Sequence, residues 1–192
     1  MHIGIYSGSF NPIHNGHIQL AEYLIDNKLV DEVWFVVSPC NPLKNQQDLI
    51  NEYLRLDMLV MSIKNKPQFK ASDIEFSMPI PSYSIDTLQE LSKQYPDNQF
   101  SLMIGSDNAL IFDQWKNYKQ LLDKYQVLVY PRIGYDFSEV KGKYPQMQLL
   151  NTPYFNISST QIRQSIAQKK DISQWLHPSV RDFILENHLY AN

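Results

Sequence analysis

An apolar segment at residues 3–6 breaks at Gly8, runs through Gly8-Ser9-Phe10-Asn11-Pro12-Ile13-His14-Asn15-Gly16-His17, and re-enters as a helix-forming stretch over residues 18–28. A strand, a glycine-containing turn and a helix start in direct succession constrain the fold strongly, because such a unit opens a crossover between parallel strands. The same succession places free backbone N–H groups and the positive end of a helix dipole over the turn, which is the making of an anion site. Leu20, Ala21, Leu24 and Ile25 recur at helical spacing behind it. Neither a GxxxxGK[ST] loop nor a GxGxxG turn occurs, so the phosphate device this turn suggests is of another kind.

The remainder of the chain repeats the alternation. Val33-Trp34-Phe35-Val36-Val37 is a continuous β-branched and aromatic run, as expected of a parallel strand covered on both faces. Residues 51–64 carry Leu54, Met58, Leu59 and Met61 on a helical stripe, and a weak strand is read at 69–74. Pro79 and Pro81 mark a loop, after which Ser84 is expected to cap a helix over 85–94. Strands are predicted at 100–104, at 127–130 (stopped by Pro131-Arg132) and at 147–150, with closing helices at 160–167 and 179–186, Pro178 lying at the first turn of the second.

The fold expected is therefore α/β: a Rossmann-like three-layer sandwich with a mostly parallel central sheet, forming one domain over 1–192. Ligands in such folds bind beyond the carboxyl ends of the strands. Residues 8–17, 38–44, 105–107 and Arg132 all follow predicted strands and would gather on that edge.

Composition narrows the partners. A net charge of −3 argues against a protein that coats a nucleic-acid backbone. One cysteine, Cys40, allows no intrachain disulfide and has no activating base beside it in sequence. No apolar run reaches the roughly 18–20 residues of a membrane span, and no basic-then-apolar leader is seen. A soluble cytoplasmic chain with no membrane or nucleic-acid partner is expected, and a homo-oligomer is left open.

Individual residues admit more than one reading. His14 and His17, three apart across a helix start, either cap and pack or donate to phosphate oxygens; a zinc pair would lack a third ligand nearby. Their place after a strand–glycine turn favours phosphate. Ser158-Ser159-Thr160 with Arg163 makes either a second phosphate cradle or an ordinary N-cap. Asp107 follows a strand and serves either ribose hydroxyls or a helix start. Lys44 is a loop lysine, Arg55 shares a helix with Met58 and reads as a surface residue, and Trp115 is either core or an exposed ring among polar neighbours.

The ten residues from Gly8 to His17 resemble the GxFxPxHxGH signature of the nucleotidyltransferase superfamily, HxGH class, and Ile157-Ser158-Ser159-Thr160-Gln161-Ile162-Arg163 is similar to its ISSTxIR motif. Within that class the chain resembles bacterial nicotinate-nucleotide adenylyltransferases over essentially its whole length. Ser82-Tyr83-Ser84-Ile85-Asp86-Thr87-Leu88 is similar to their SYTxDTL segment, Gly105-Ser106-Asp107 to their GxD, and Pro39-Cys40-Asn41-Pro42-Leu43-Lys44 to their Pro-rich, lysine-ended loop. Ser9 stands where Thr is usual, Leu43 where His often precedes the lysine, and Ile133 interrupts the usual Arg-Pro-Gly.

The resemblance implies adenylyl transfer from ATP, with Mg2+, to the 5′-phosphate of nicotinate mononucleotide. It implies His14 and His17 at the reacting phosphates. It further implies Gly8, Ser9, Phe10, Gly16, Lys44, Asp107, Arg132, Ser158, Ser159, Thr160 and Arg163 around ATP, and Ser84, Trp115 and Lys116 around the pyridine nucleotide, with no protein-held metal. A phosphopantetheine adenylyltransferase shares both phosphate motifs, but is usually shorter and has no need of the Ser82-to-Leu88 segment or an exposed Trp115. A cytidylyltransferase needs no aromatic platform. A nucleotide sensor without turnover is the alternative outside enzymes.

Overall fold

The computed structural model describes residues 1–40 and 49–191. Along the chain run β1 (His2–Gly8), α1 (Asn15–Asp26), β2 (Glu32–Val37), α2 (Glu52–Ile63), β3 (Phe69–Ser72), α3 (Ser84–Gln94), β4 (Gln99–Gly105), α4 (Ser106–Leu110), α5 (Tyr118–Lys124), β5 (Gln126–Tyr130), α6 (Phe137–Lys143), β6 (Gln148–Leu149), α7 (Ser159–Ala167) and α8 (Pro178–Glu186). The strands form one sheet in the order β3-β2-β1-β4-β5-β6, and every pairing is parallel. Described residues include no helix long and apolar enough to cross a membrane.

Strand alternation explains the layering, since successive side chains leave opposite faces. Val33, Phe35 and Val37 of β2 point into a core shared with Leu20, Leu24, Met58, Leu59, Ile162 and Val180, on the face covered by α1, α2, α7 and α8. Trp34 and Val36 point the other way, toward Ile85, Leu88, Leu121 and Val140 of α3, α5 and α6. Both faces are buried, which is why the sequence shows continuous apolar runs rather than alternation with polar residues.

The chain lays β1, β2 and β3 outward in one direction, then returns to place β4, β5 and β6 on the other side of β1. The connections diverge between β1 and β4, where a crevice opens at the carboxyl ends. Gly8 ends β1 and Gly105 ends β4, so both glycine turns stand on its rim.

Two expectations are corrected. Ser84 is the first residue of α3 rather than its cap; Tyr83 holds the extended cap position and no side chain caps the helix. The predicted strand at 69–74 ends at Ser72, and Ile74–Ser77 form a 3-10 turn. Helices α4, α5 and α6 have five to seven residues, too short to set up the periodicity that reveals a helix in sequence.

Candidate active site

A cleft of about 440 Å³ occupies the crevice above β1 and β4. Its wall includes Gly8, Ser9, Phe10, His14, His17, Asp107, Arg132, Ser158, Ser159, Thr160 and Arg163 at one end and Ser84, Trp115 and Lys116 at the other. Of the expected site residues, Gly16 does not line the cleft: it is buried in the first turn of α1, where a Cβ would come within 3.2 Å of His14 Nδ1. Lys44 lies outside the described residues, as does most of the loop expected to carry it.

The two histidines sit on the α1 start, His14 as its extended cap residue and His17 in its first turn. Their rings stack, centroids 3.6 Å apart and planes at 23°. The His14 backbone N–H donates to His17 Nδ1 at 3.2 Å. An accepting Nδ1 leaves the proton of the neutral ring on Nε2, so the contact selects the tautomer. Tyr6 and Phe10 meet the His17 ring edge-on, at 5.8 and 5.2 Å. His14 is only 7% exposed. Burial, reinforced by the charge of Arg132, lowers its pKa to about 3, so it is neutral at physiological pH.

The turn is held from several sides. Phe10 has a left-handed backbone (φ 46°) and is 3% exposed, its ring lying 3.1 Å from where a Cβ on Gly8 would be. Glycine at position 8 leaves room for that ring. Arg163 Nη1 donates to Asn11 O at 2.9 Å, Ser159 Oγ donates to Pro12 O at 2.9 Å, and Tyr190 OH donates to the Asn11 amide oxygen at 2.8 Å. The two sequence motifs are thus docked directly on each other. Ser158 caps α7 by accepting from Gln161 N at 3.1 Å, while the N–H groups of Ser159 and Thr160 precede the first intrahelical bond and remain available to an anion. The cap reading of this motif holds for Ser158, and the cradle reading is compatible with it.

Arg132 closes this end. Its backbone N–H donates to Ser106 Oγ at 2.9 Å, Nη2 donates to Tyr130 OH at 3.1 Å, and Nε stands 3.8 Å from Asp107 Oδ1, too far for a hydrogen bond. Burial works against the Arg132 charge, but Tyr130, Tyr6 and Asp107 more than offset it and hold its pKa above the ordinary arginine value. Asp107 does not cap α4; its Oδ1 folds back over Gly105, 2.3 Å from where a Cβ would stand, so a side chain at position 105 would displace the Asp107 carboxylate and press on Arg132.

At the other end the start of α3 faces the cleft, and Ser84 N–H again precedes the first intrahelical bond. Glu75, 3% exposed, accepts from Ser7 Oγ at 3.3 Å, Ser82 Oγ at 2.5 Å and Thr87 Oγ1 at 2.9 Å, fastening both flanks of that helix start. Trp115 is half-buried, packs at 5.0 Å on Phe112 and lines the cleft, so it is core and wall at once. The Lys116 ammonium bonds Asp86 at 2.7 Å and lies 4.8 Å over the Tyr83 ring, which leaves its backbone rather than its charge to face a ligand.

Residues 5–165 match the model of the cytidylyltransferase-like family. The chain is 47% identical over 184 residues to a protein of Bacteroides fragilis named "Probable nicotinate-nucleotide adenylyltransferase", covering 95% of this chain and 90% of the relative. It is 43% identical to a protein of the same name in Cytophaga hutchinsonii, with both chains covered completely. The chain belongs to the nicotinate-nucleotide adenylyltransferase family. Its fold is that of the Plasmodium falciparum nicotinic acid mononucleotide adenylyltransferase, solved in complex with NaAD, at a TM-score of 0.84 and 24% identity over 98% of this chain and 97% of that one.

Two residues of this adenylyltransferase-family site escape sequence reading. Arg55, expected at the surface, is 0% exposed and donates to four backbone carbonyls behind the turn. Its only signal was a cation three and four residues ahead of Met58 and Leu59 on an apolar stripe. Glu75 lay in a segment with no clear periodicity and gave none.

Proposed function

We propose that the chain transfers the adenylyl group of ATP to the 5′-phosphate of nicotinate mononucleotide, forming deamido-NAD and releasing pyrophosphate. One observation carries the reading: a single cleft has the stacked histidine pair and the open start of α7 at one end and the open start of α3 with Trp115 at the other. The first end suits a polyphosphate and the second a planar ring bearing a carboxylate.

The mononucleotide phosphate, with its second pKa near 6, is largely dianionic at neutral pH and attacks the α-phosphorus in line without a general base. The burden on the protein is to bring two anions together and to hold charge as it moves onto the pyrophosphate. His17 Nε2–H and neutral His14 supply one N–H donor each, Arg132 and Arg163 supply charge, and the Ser159 and Thr160 N–H groups receive the outer phosphates. Ser159 keeps its hydroxyl on Pro12, so its contribution is the backbone donor. Described residues at this end are cationic or neutral donors apart from Asp107, and among the described residues no group of three or more His, Cys, Asp or Glu is built to hold a metal. That donor set fits a magnesium ion carried by the ATP phosphates and water, which would screen their charge.

At the acceptor end, two N–H groups near Ser84 and Lys116 match a carboxylate's two acceptors, whereas a carboxamide turns its own NH2 toward one of them. The test is pyrophosphate release from ATP with nicotinate mononucleotide, nicotinamide mononucleotide and phosphopantetheine offered separately. Release should be fastest with the first. Turnover with phosphopantetheine alone, or with no acceptor at all, overturns the reading.

A further inference from the structure

We propose that Arg55 is a positioning residue for ATP: it ties the Ser9 turn, the segment after β2 and the start of α2 into one register, so that the phosphates meet preset backbone donors. This deepens the adenylyl-transfer reading and rests on it. The geometry is unusual for an arginine. The guanidinium is fully buried, and its Nε donates to Ile50 O at 2.9 Å, Nη1 to Ser9 O at 2.6 Å and to Ser38 O at 2.8 Å, and Nη2 to Pro39 O at 3.2 Å. Among the described residues no carboxylate bonds it. A rigid planar fork is the group that can hold carbonyls of three separate segments at once, and a lysine cannot reproduce it.

Two consequences bear on phosphate. Ser9 and Ser38 line the cleft, and a carbonyl oxygen turned into it would repel a polyphosphate. Arg55 keeps these oxygens turned to itself. In a planar trans peptide the N–H points opposite the C=O, so fixing Ser9 O also fixes the direction of the Phe10 N–H in the turn. The strand ends are already registered, with Ser38 N–H donating to Gly8 O at 2.9 Å. Arg55 adds α2 to that register. Set directly behind the turn and bonded by no carboxylate among the described residues, this cation also raises the local potential on the side where phosphate charge would lie, with Glu52 offsetting part of it.

Steady-state kinetics of Arg55→Lys and Arg55→Met, with calorimetric titration of a non-hydrolysable ATP analogue, test the proposal. Arg55→Lys should fold, raise the KM for ATP and weaken the analogue by about tenfold or more, and leave the KM for nicotinate mononucleotide within about twofold. Arg55→Met should do the same more severely; if it does not fold, the lysine variant carries the test. A folded Arg55→Lys protein with wild-type ATP constants overturns the proposal, as does a rise in both KM values together. Failure of the functional reading is a separate result: wild-type protein would release no pyrophosphate with nicotinate mononucleotide, whereas the analogue titration still reads Arg55.

Discussion

Among the described residues, the two ends of the cleft each rest on a buried charge hydrogen-bonded only to uncharged groups, and the signs are opposite. Arg55 stands behind the phosphate turn and holds four carbonyls; Glu75 stands behind the α3 start and holds three hydroxyls. A cation suits the polyphosphate end on charge as well as geometry. An anion behind the acceptor end has the wrong sign for a nicotinate carboxylate, so its contribution there must be geometric: it fixes Ser82 and Thr87, and with them the helix start between. The difference teaches that a buried charge in a binding site is to be read first by the dipoles it organises. Only afterwards does the field it projects count.

The largest effect expected belongs to the phosphate end. His17→Ala removes an Nε2–H donor whose tautomer the His14 N–H selects, and should lower kcat by about 100-fold or more, the range seen when one preorganised donor to developing charge is lost. Circular dichroism and the melting temperature should stay near wild type. A near-normal kcat would remove His17 from the chemistry and reduce the turn to a binding device.

Glu75→Gln sharpens the contrast in sign. If the carboxylate acts by geometry, replacing one acceptor oxygen with an NH2 sets a donor against a hydroxyl donor. The mismatch should cost about 1–3 kcal/mol of stability and raise the KM for nicotinate mononucleotide by about tenfold, with the ATP KM little changed. If its charge mattered more, the same variant would bind the anionic acceptor more tightly. A lowered acceptor KM in the Gln variant would therefore refute the geometric account.

The two ends also differ in how far the sequence disclosed them. At the phosphate end the glycine turn, the histidine pair and the Ser158-to-Arg163 motif all declare themselves, because each depends on residue types that helix starts and tight turns select. Their docking through Pro12 O and Asn11 O was not legible, since it joins a hydroxyl and a guanidinium to carbonyls about 150 positions away. The parallel sheet was legible from its apolar runs, whereas the short helices α4, α5 and α6 were not. At the acceptor end, the residues alone marked Ser84 as a helix cap and Trp115 as core or an exposed ring, and only resemblance put them at a ligand. Glu75 works through hydroxyls of Ser7, Ser82 and Thr87 from three segments, and no spacing in a linear chain encodes that meeting. Arg55 was misplaced for a related reason: an arginine on a helix is normally at the surface, and only tertiary carbonyls overrule this.

Acid acts on the comparison by a smaller margin, through His14 at the phosphate end. His14 is buried against His17 and near Arg132, with its pKa lowered to about 3 in the folded chain against about 6.5 when unfolded. Between these values the unfolded chain holds a proton that the folded chain does not, so stability contributed at His14 is complete above about pH 6.5 and is lost as pH falls toward 3. From pH 7 to pH 5 this amounts to about 2 kcal/mol. Denaturant melts of the ligand-free protein at the two pH values should show that loss, and His14→Asn should remove most of it. Carboxylates elsewhere, such as Glu32 with its lowered pKa, set the residual slope and should be the same in both proteins. Equal slopes for wild type and variant would mean that the folded structure accommodates a charged His14, and the phosphate end would then carry a switchable cation rather than a fixed neutral donor.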